Sequence, residues 1–296
     1  MRLEKKATLV STSVAGLLVL IKMAIGVFSG SIAILASAID SFLDLTVSLF
    51  NYFALSRSEK SADKDFNFGH SKIEPLAAVI EGVVISISAL FILYEALSKI
   101  ANPKDIAYMS ESIYVMLISI VITAFLVAFL NYVAKKTKNM VIKADALHYK
   151  TDLFSNGAVL IALALVSFTG EQLIDPILGI GIAIYMIYSA YPIIKEGILM
   201  LLDASLAEEE MNKIEEIISK HKTVTSFHHL KARESGSHIF ISVHTVFNMD
   251  ISLYDAHLVT DKIEEELKKL FKDKKVYVVI HMDPYDDSEM NDIEGV

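Results

Sequence analysis

Six apolar runs of roughly twenty residues before residue 202 constrain this chain more than any other feature. Crossing a hydrocarbon core of ~30 Å takes about 20 helical residues, so each run is long enough to span a bilayer. The spans read as 8–29, 32–55, 75–98, 111–134, 142–168 and 174–201. The first follows Arg2, Lys5 and Lys6 as a signal peptide would. It outruns the ~7–15-residue apolar segment of such a leader, and five more spans follow. The hydrophobic share of 53% and mean hydropathy of +0.48 fit this reading and exclude a disordered chain or a secreted disulfide scaffold.

Basic residues give the orientation. Arg2, Lys5, Lys6, Arg57, Lys60, Lys64, Lys72, Lys135, Lys136, Lys138 and Lys143 flank one side of the spans; Lys99 and Lys104 flank the other. Both termini are therefore expected in the cytoplasm. The expected architecture is membrane α-helical. It comprises a six-helix transmembrane domain over 1–203, a cytoplasmic domain over 204–285 and a flexible tail over 286–296. Helical periodicity over 208–221 and 255–271, with strand patterns near 228, 239–247 and 276–282, gives an αββαβ order. That order suits a small α+β, ferredoxin-like domain with its helices on one sheet face.

The chain holds 27 Lys+Arg and 36 Asp+Glu; residues 204–296 account for 11 and 19 of them, leaving 16 and 17 before. The cytoplasmic part thus carries a net −8 and seven of the nine histidines. Nucleic acid and anionic lipid headgroups both attract basic surfaces, so neither is the expected partner. A cation is. With no Cys in the chain, any metal must be held by nitrogen and oxygen.

Four residues stand where a membrane span should have none. Asp40 and Asp44 sit four apart in the second span, His148 and Asp152 four apart in the fifth. Each pair occupies one helix face. The two spans run in opposite directions, so facing them brings three carboxylates and an imidazole to a common depth. Each charge costs about 2.5–3.5 kcal/mol at the bilayer centre. A divalent ion offsets that cost, and a closed set of four N/O ligands suits Zn²⁺. The plainer alternative is that each Asp bonds nearby Ser and backbone groups; two such pairs on antiparallel spans weigh against it. Glu81 in the third span is either a second protonatable group or a bonding partner within the bundle. Lys22 and Lys150 are expected to snorkel toward the interface.

The Asp-x3-Asp and His-x3-Asp spans, the six helices and the His-rich αββαβ tail resemble the cation diffusion facilitator family, particularly its bacterial ferrous-iron and zinc exporters. The resemblance covers about residues 5–285. It implies a homodimer exporting Zn²⁺, Fe²⁺ or Cd²⁺ from the cytoplasm in exchange for protons, with the metal on Asp40, Asp44, His148 and Asp152. It implies a loop site as well, where Asp63 and His70 match but Phe66 replaces a histidine. In the tail it places a pair of zinc ions on His228, His244, His257, His281 and Asp283, joining two copies; His229 competes with His228 for its role. His221 and His238 receive no role. An intramembrane metalloenzyme or a metal sensor built on the same Asp/His cluster are the competing readings. The chain contains no His-Glu-x-x-His run to favour the former.

Overall fold

The computed structural model describes residues 2–30, 32–101, 110–169, 171 and 173–289. The chain divides into two compact units, 1–198 and 199–296. Lys104, used above for orientation, and residues 290–296 of the expected tail lie outside the described residues.

The first unit contains α1 (Leu3–Ser29), α2 (Ile32–Ser58), α3 (Ile73–Ala101), α4 (Ser110–Thr137), α5 (Met140–Thr169) and α6 (Ile174–Leu201). All six are long and apolar enough to cross a membrane. Hydrocarbon offers no partner for a backbone N–H or C=O, so a spanning segment must satisfy these groups along its own helix. The helices overrun the expected spans by a few residues, since nothing stops a helix where the hydrocarbon ends. Gly30, at φ 67°, ends α1 with a left-handed cap. Between α4 and α5, Lys138 also takes a positive φ, and the Asn139 side chain accepts from the Ile142 N–H at 3.1 Å. That capping bond starts α5 one turn before its first ionisable face.

α1 packs on α2 and on α4, α4 on α5, and α3 against both α2 and α5. Bulky apolar side chains such as Phe28, Phe125 and Tyr188 point outward, while small residues fill the contacts. Along α3 and α6, Ile85, Ala89, Met186 and Ala190 form one buried cluster. Gly82 and Gly197 flank it. A Cβ on Gly82 would meet Ile194 at 2.7 Å, and one on Gly197 would meet Val79 at 2.5 Å and the Pro75 carbonyl at 3.1 Å. The far end of the pair is tied by Lys99 and Asp175 at 2.8 Å.

The second unit runs α7 (Glu208–Ser219), β1 (Val224–Ser235), β2 (His238–Phe247), α8 (Leu253–Leu270) and β3 (Lys275–Asp283). The sheet order is β1-β2-β3; β1 and β2 form an antiparallel hairpin, and β3 returns parallel to β2 after α8. Ile239, Ile241 and Val243 of β2 join Ile214 and Ile218 of α7 and Ile263 and Leu267 of α8 in one core. Alternation along β2 therefore points every second side chain away from the helices. Ser252 caps α8 by accepting from the Asp255 N–H at 3.1 Å.

Gly197→Ala should loosen α3 from α6, because the backbone oxygen of Pro75 cannot move aside as a side chain would. A loss of about 1–3 kcal/mol is expected, read as a lower thermal midpoint in detergent; an unchanged midpoint would show that this contact is not tight.

Candidate metal centre

The order of contacts along α2 and α5 shows that they run antiparallel. Asp44 meets His148, Ser48 meets Tyr149 at 2.6 Å, and Asn51 meets Asp145 at 3.3 Å. Asp44 Oδ1 stands 3.3 Å from His148 Nε2, and Asp152 Oδ2 stands 3.6 Å from the same nitrogen. One ligand atom from each of the three lies within 4.8 Å of the others. Ligands at 2.0–2.2 Å around a tetrahedral Zn²⁺ sit about 3.3–3.6 Å from one another. The observed spacings fit that tetrahedron. Both His148 Nε2 and Asp152 Oδ2 are buried without a hydrogen-bond partner, which an ion between them would supply.

Asp40, one turn before Asp44, lies outside this group and is exposed. The structure thus brings together three of the four expected residues. Lys22 corrects the snorkelling expectation: it is 7% exposed and donates to the Ser41 hydroxyl at 2.8 Å and the Ser37 carbonyl at 3.4 Å. The ammonium of half-buried Lys150 lies over the rings of Phe154 and Tyr185. Glu81 is 1% exposed and accepts from Asn51 at 3.0 Å.

Sequence reasoning overlooked Asn51, Ser48, Asp145 and Tyr149. A signal for them existed. Ser37, Ser41, Asp44, Ser48 and Asn51 recur at three- and four-residue intervals, a polar stripe on one face of α2. Asp145, His148 and Asp152 do the same on α5.

In the loop after α2, Asp63 is already engaged. Lys60 donates to its Oδ2 at 2.6 Å, while the Asp65 and Phe66 N–H groups bond Oδ1 at 3.1 and 2.9 Å. These bonds, the Lys60 one foremost, hold its carboxyl down at about 2. His70 Nε2 lies 3.6 Å from Asp63, and its ring packs on Phe66. No third metal-binding side chain joins them among the described residues.

The second unit holds a denser group. His228 pairs with His244 across β1 and β2, and His244 with His281 across β2 and β3. Three imidazoles therefore stand in one rank on the sheet. Asp283 serves two of them through one oxygen, His244 at 3.1 Å and His228 at 3.7 Å, and His281 through the other at 3.1 Å. His228, His244, Asp283 and Asp287 form a four-ligand group within 4.8 Å. His229, at the strand irregularity and φ 51°, is not part of it. His257, on α8, stays exposed beside Asp261 and is not brought in. Asp286 and Asp287, counted with the flexible tail, lie 3.7 and 3.1 Å from His228. Bonds from Ser288 hold the Asp286 carboxyl below its ordinary range.

A profile of cation efflux transmembrane domains matches residues 8–202, and one of the cytoplasmic domain of cation efflux proteins matches 206–285. The chain belongs to the cation efflux family. Relatives include the cation-efflux pump FieF of Escherichia coli O1:K1, 35% identical over 283 residues, covering 96% of this chain and 93% of the relative. FieF of Escherichia fergusonii is 36% identical over the same shares. A solved chain of the zinc transporter CzrB in a Zn form is 28% identical, covering 27% of this chain and 90% of that one, at a TM-score of 0.24. Membership makes the six helices a transmembrane domain and the second unit its cytoplasmic partner.

Because Asp63 titrates at about 2 rather than its ordinary 3.8, its bonds should persist above about pH 4 and be lost as the pH falls through 2. Amide exchange at Asp65 and Phe66, corrected for intrinsic rates, should rise only in that window; a rise near pH 6 would contradict the geometry.

Proposed function

We propose that this cation-efflux protein exports divalent transition metals from the cytoplasm in exchange for protons. Zn²⁺ is the favoured cargo, and Fe²⁺ and Cd²⁺ suit the same ligands. The protein works as a homodimer in the inner membrane with both termini in the cytoplasm. The observation that carries this reading is the Asp44–His148–Asp152 group on two adjoining helices inside the transmembrane bundle. Its three donors leave one position of a tetrahedron, for which Asp40, one turn before Asp44 on α2, would be the fourth ligand.

Metal and protons compete for the same lone pairs, so loading one releases the other. An imidazole exchanges protons in the physiological range, which makes His148 the principal carrier. If the site opens alternately to each side, an inward proton gradient drives metal outward. The basic ends around Arg57, Lys72 and Lys138 face the cytoplasm under the charge rule.

The tail rank of histidines fits Zn²⁺ as a resident ion. Asp283, with both oxygens beside imidazoles, has the chemistry to bridge two ions. Metal there offsets the acidic charge and lets two tails approach. The relatives' description as pumps favours transport over hydrolysis, and no enzymatic activity is assigned. An intramembrane metalloenzyme would instead use the open coordination position for water.

In proteoliposomes under a pH gradient, Asp44→Ala should lower Zn²⁺ flux by roughly a hundredfold or more. Flux at the unsubstituted rate would sink the transport site, and cleavage of a peptide substrate would favour the metalloenzyme. His148→Asp should move the pH profile of transport toward lower pH, since a carboxyl gives up its proton below an imidazole; an unmoved profile would remove His148 as the carrier.

A further inference from the structure

A second set of ionisable groups lies along the α2–α5 seam. Asn51 is seven residues beyond Asp44 on α2, about 10 Å along the axis. Asp145 is three residues before His148 on α5, about 4.5 Å along it. Because the helices are antiparallel, both steps lead toward the Ser58 end of α2 and the Met140 end of α5. Glu81 of α3 completes the set.

All three side chains are sealed. Asn51 and Asp145 are 0% exposed and Glu81 is 1%. The Asn51 amide donates to Glu81 Oε2 at 3.0 Å and Asp145 Oδ1 at 3.3 Å. That leaves Asn51 Oδ1, Glu81 Oε1 and Asp145 Oδ2 buried with no hydrogen-bond partner. The Ser11 hydroxyl of α1, which bonds the Thr8 carbonyl at 3.1 Å, stands beside Asp145. Among the described residues, the two buried carboxyls meet the neutral Asn51 amide, and Asp145 the Ser11 hydroxyl as well. Protons alone serve this arrangement poorly. One proton bound by the pair leaves a negative charge buried, and a second leaves two acid O–H groups that each need an acceptor. A dication held here would cancel both carboxylate charges, with the Asn51 carbonyl as a further oxygen donor.

We propose that Asn51, Glu81 and Asp145 form a second intramembrane cation site. It is an all-oxygen stop for divalent metal between the Met140 end of the bundle and the Asp44–His148–Asp152 group. The inference rests on the transport reading above. Without an imidazole, this site holds a borderline ion such as Zn²⁺ less tightly than the main group does. That ordering suits a station that receives the ion and passes it on. Its burial means that it fills only when α2, α3 and α5 shift.

The test counts ions. Full-length protein in detergent is dialysed to equilibrium against saturating Zn²⁺, and bound zinc per protomer is measured by mass spectrometry, with protons released per ion followed in parallel. Glu81→Gln and Asp145→Asn should each lower the count by one. Asp44→Ala should lower it by a different one, so that the Asp44→Ala, Glu81→Gln double variant loses two. A full count in Glu81→Gln overturns the proposal. So does a full count with fewer protons released, which would make the trio a proton carrier. A count that falls with Glu81→Gln but not with Asp44→Ala would instead strike the main transport site and leave this one standing. Should Glu81→Gln fail to fold, Asn51→Ala decides: it removes one ligand oxygen while both carboxyls remain. It should weaken binding of that one ion at least tenfold, and unaltered binding refutes the site.

Discussion

Burying charge where no water can reach it is the constraint on which the transmembrane unit depends. Lys22 of α1 reaches Ser41 of α2, and along the α2–α5 seam Asp44 and Asp152 flank His148, Ser48 bonds Tyr149, and Asn51 links Glu81 of α3 to Asp145. Separating these helices would turn each of those groups toward hydrocarbon, at about 2.5–3.5 kcal/mol for every charged one. The residues suited to binding metal are therefore the same ones that hold the helices together. A bundle joined this way satisfies its polar seam by contact between its own side chains.

The second unit solves the opposite problem. Its surroundings are wet, so charge is cheap, and its core is an ordinary one of Ile, Val and Leu between a sheet and two helices. What it must create is a dense local set of ligands. Strand pairing does so by register, since His228, His244 and His281 fall opposite one another only when β1, β2 and β3 align. Asp283, 5% exposed at the end of β3, then presents an oxygen to each side. The irregularity between His228 and Lys231 re-aims the chain there, as bulges do near functional residues.

Several expectations changed once neighbours were known, each for a physical reason. Lys22 carries a stem long enough to snorkel, yet its ammonium is bonded to the Ser41 hydroxyl and the Ser37 carbonyl. Asp63 has the chemistry of a metal ligand, but Lys60 and two loop amides already occupy its oxygens. His257 stands exposed beside Asp261 on α8, outside the histidine group of the sheet. Asp287 joined the tail group from a stretch whose composition reads as flexible.

Periodicity and charge placed the six spans, the order of the tail elements and the Asp44, His148 and Asp152 candidates. Such signals are local: an apolar run of bilayer length, or two ligands one turn apart, is complete within one segment. Which faces meet is not local. The Asn51–Glu81–Asp145 contact joins three helices, and the histidine rank joins three strands. Rotation of each helix and register of each strand are set by packing against partners far away in the chain. That is why the tertiary structure alone separated Asp40 from its three companions and brought Asp287 to the tail histidines.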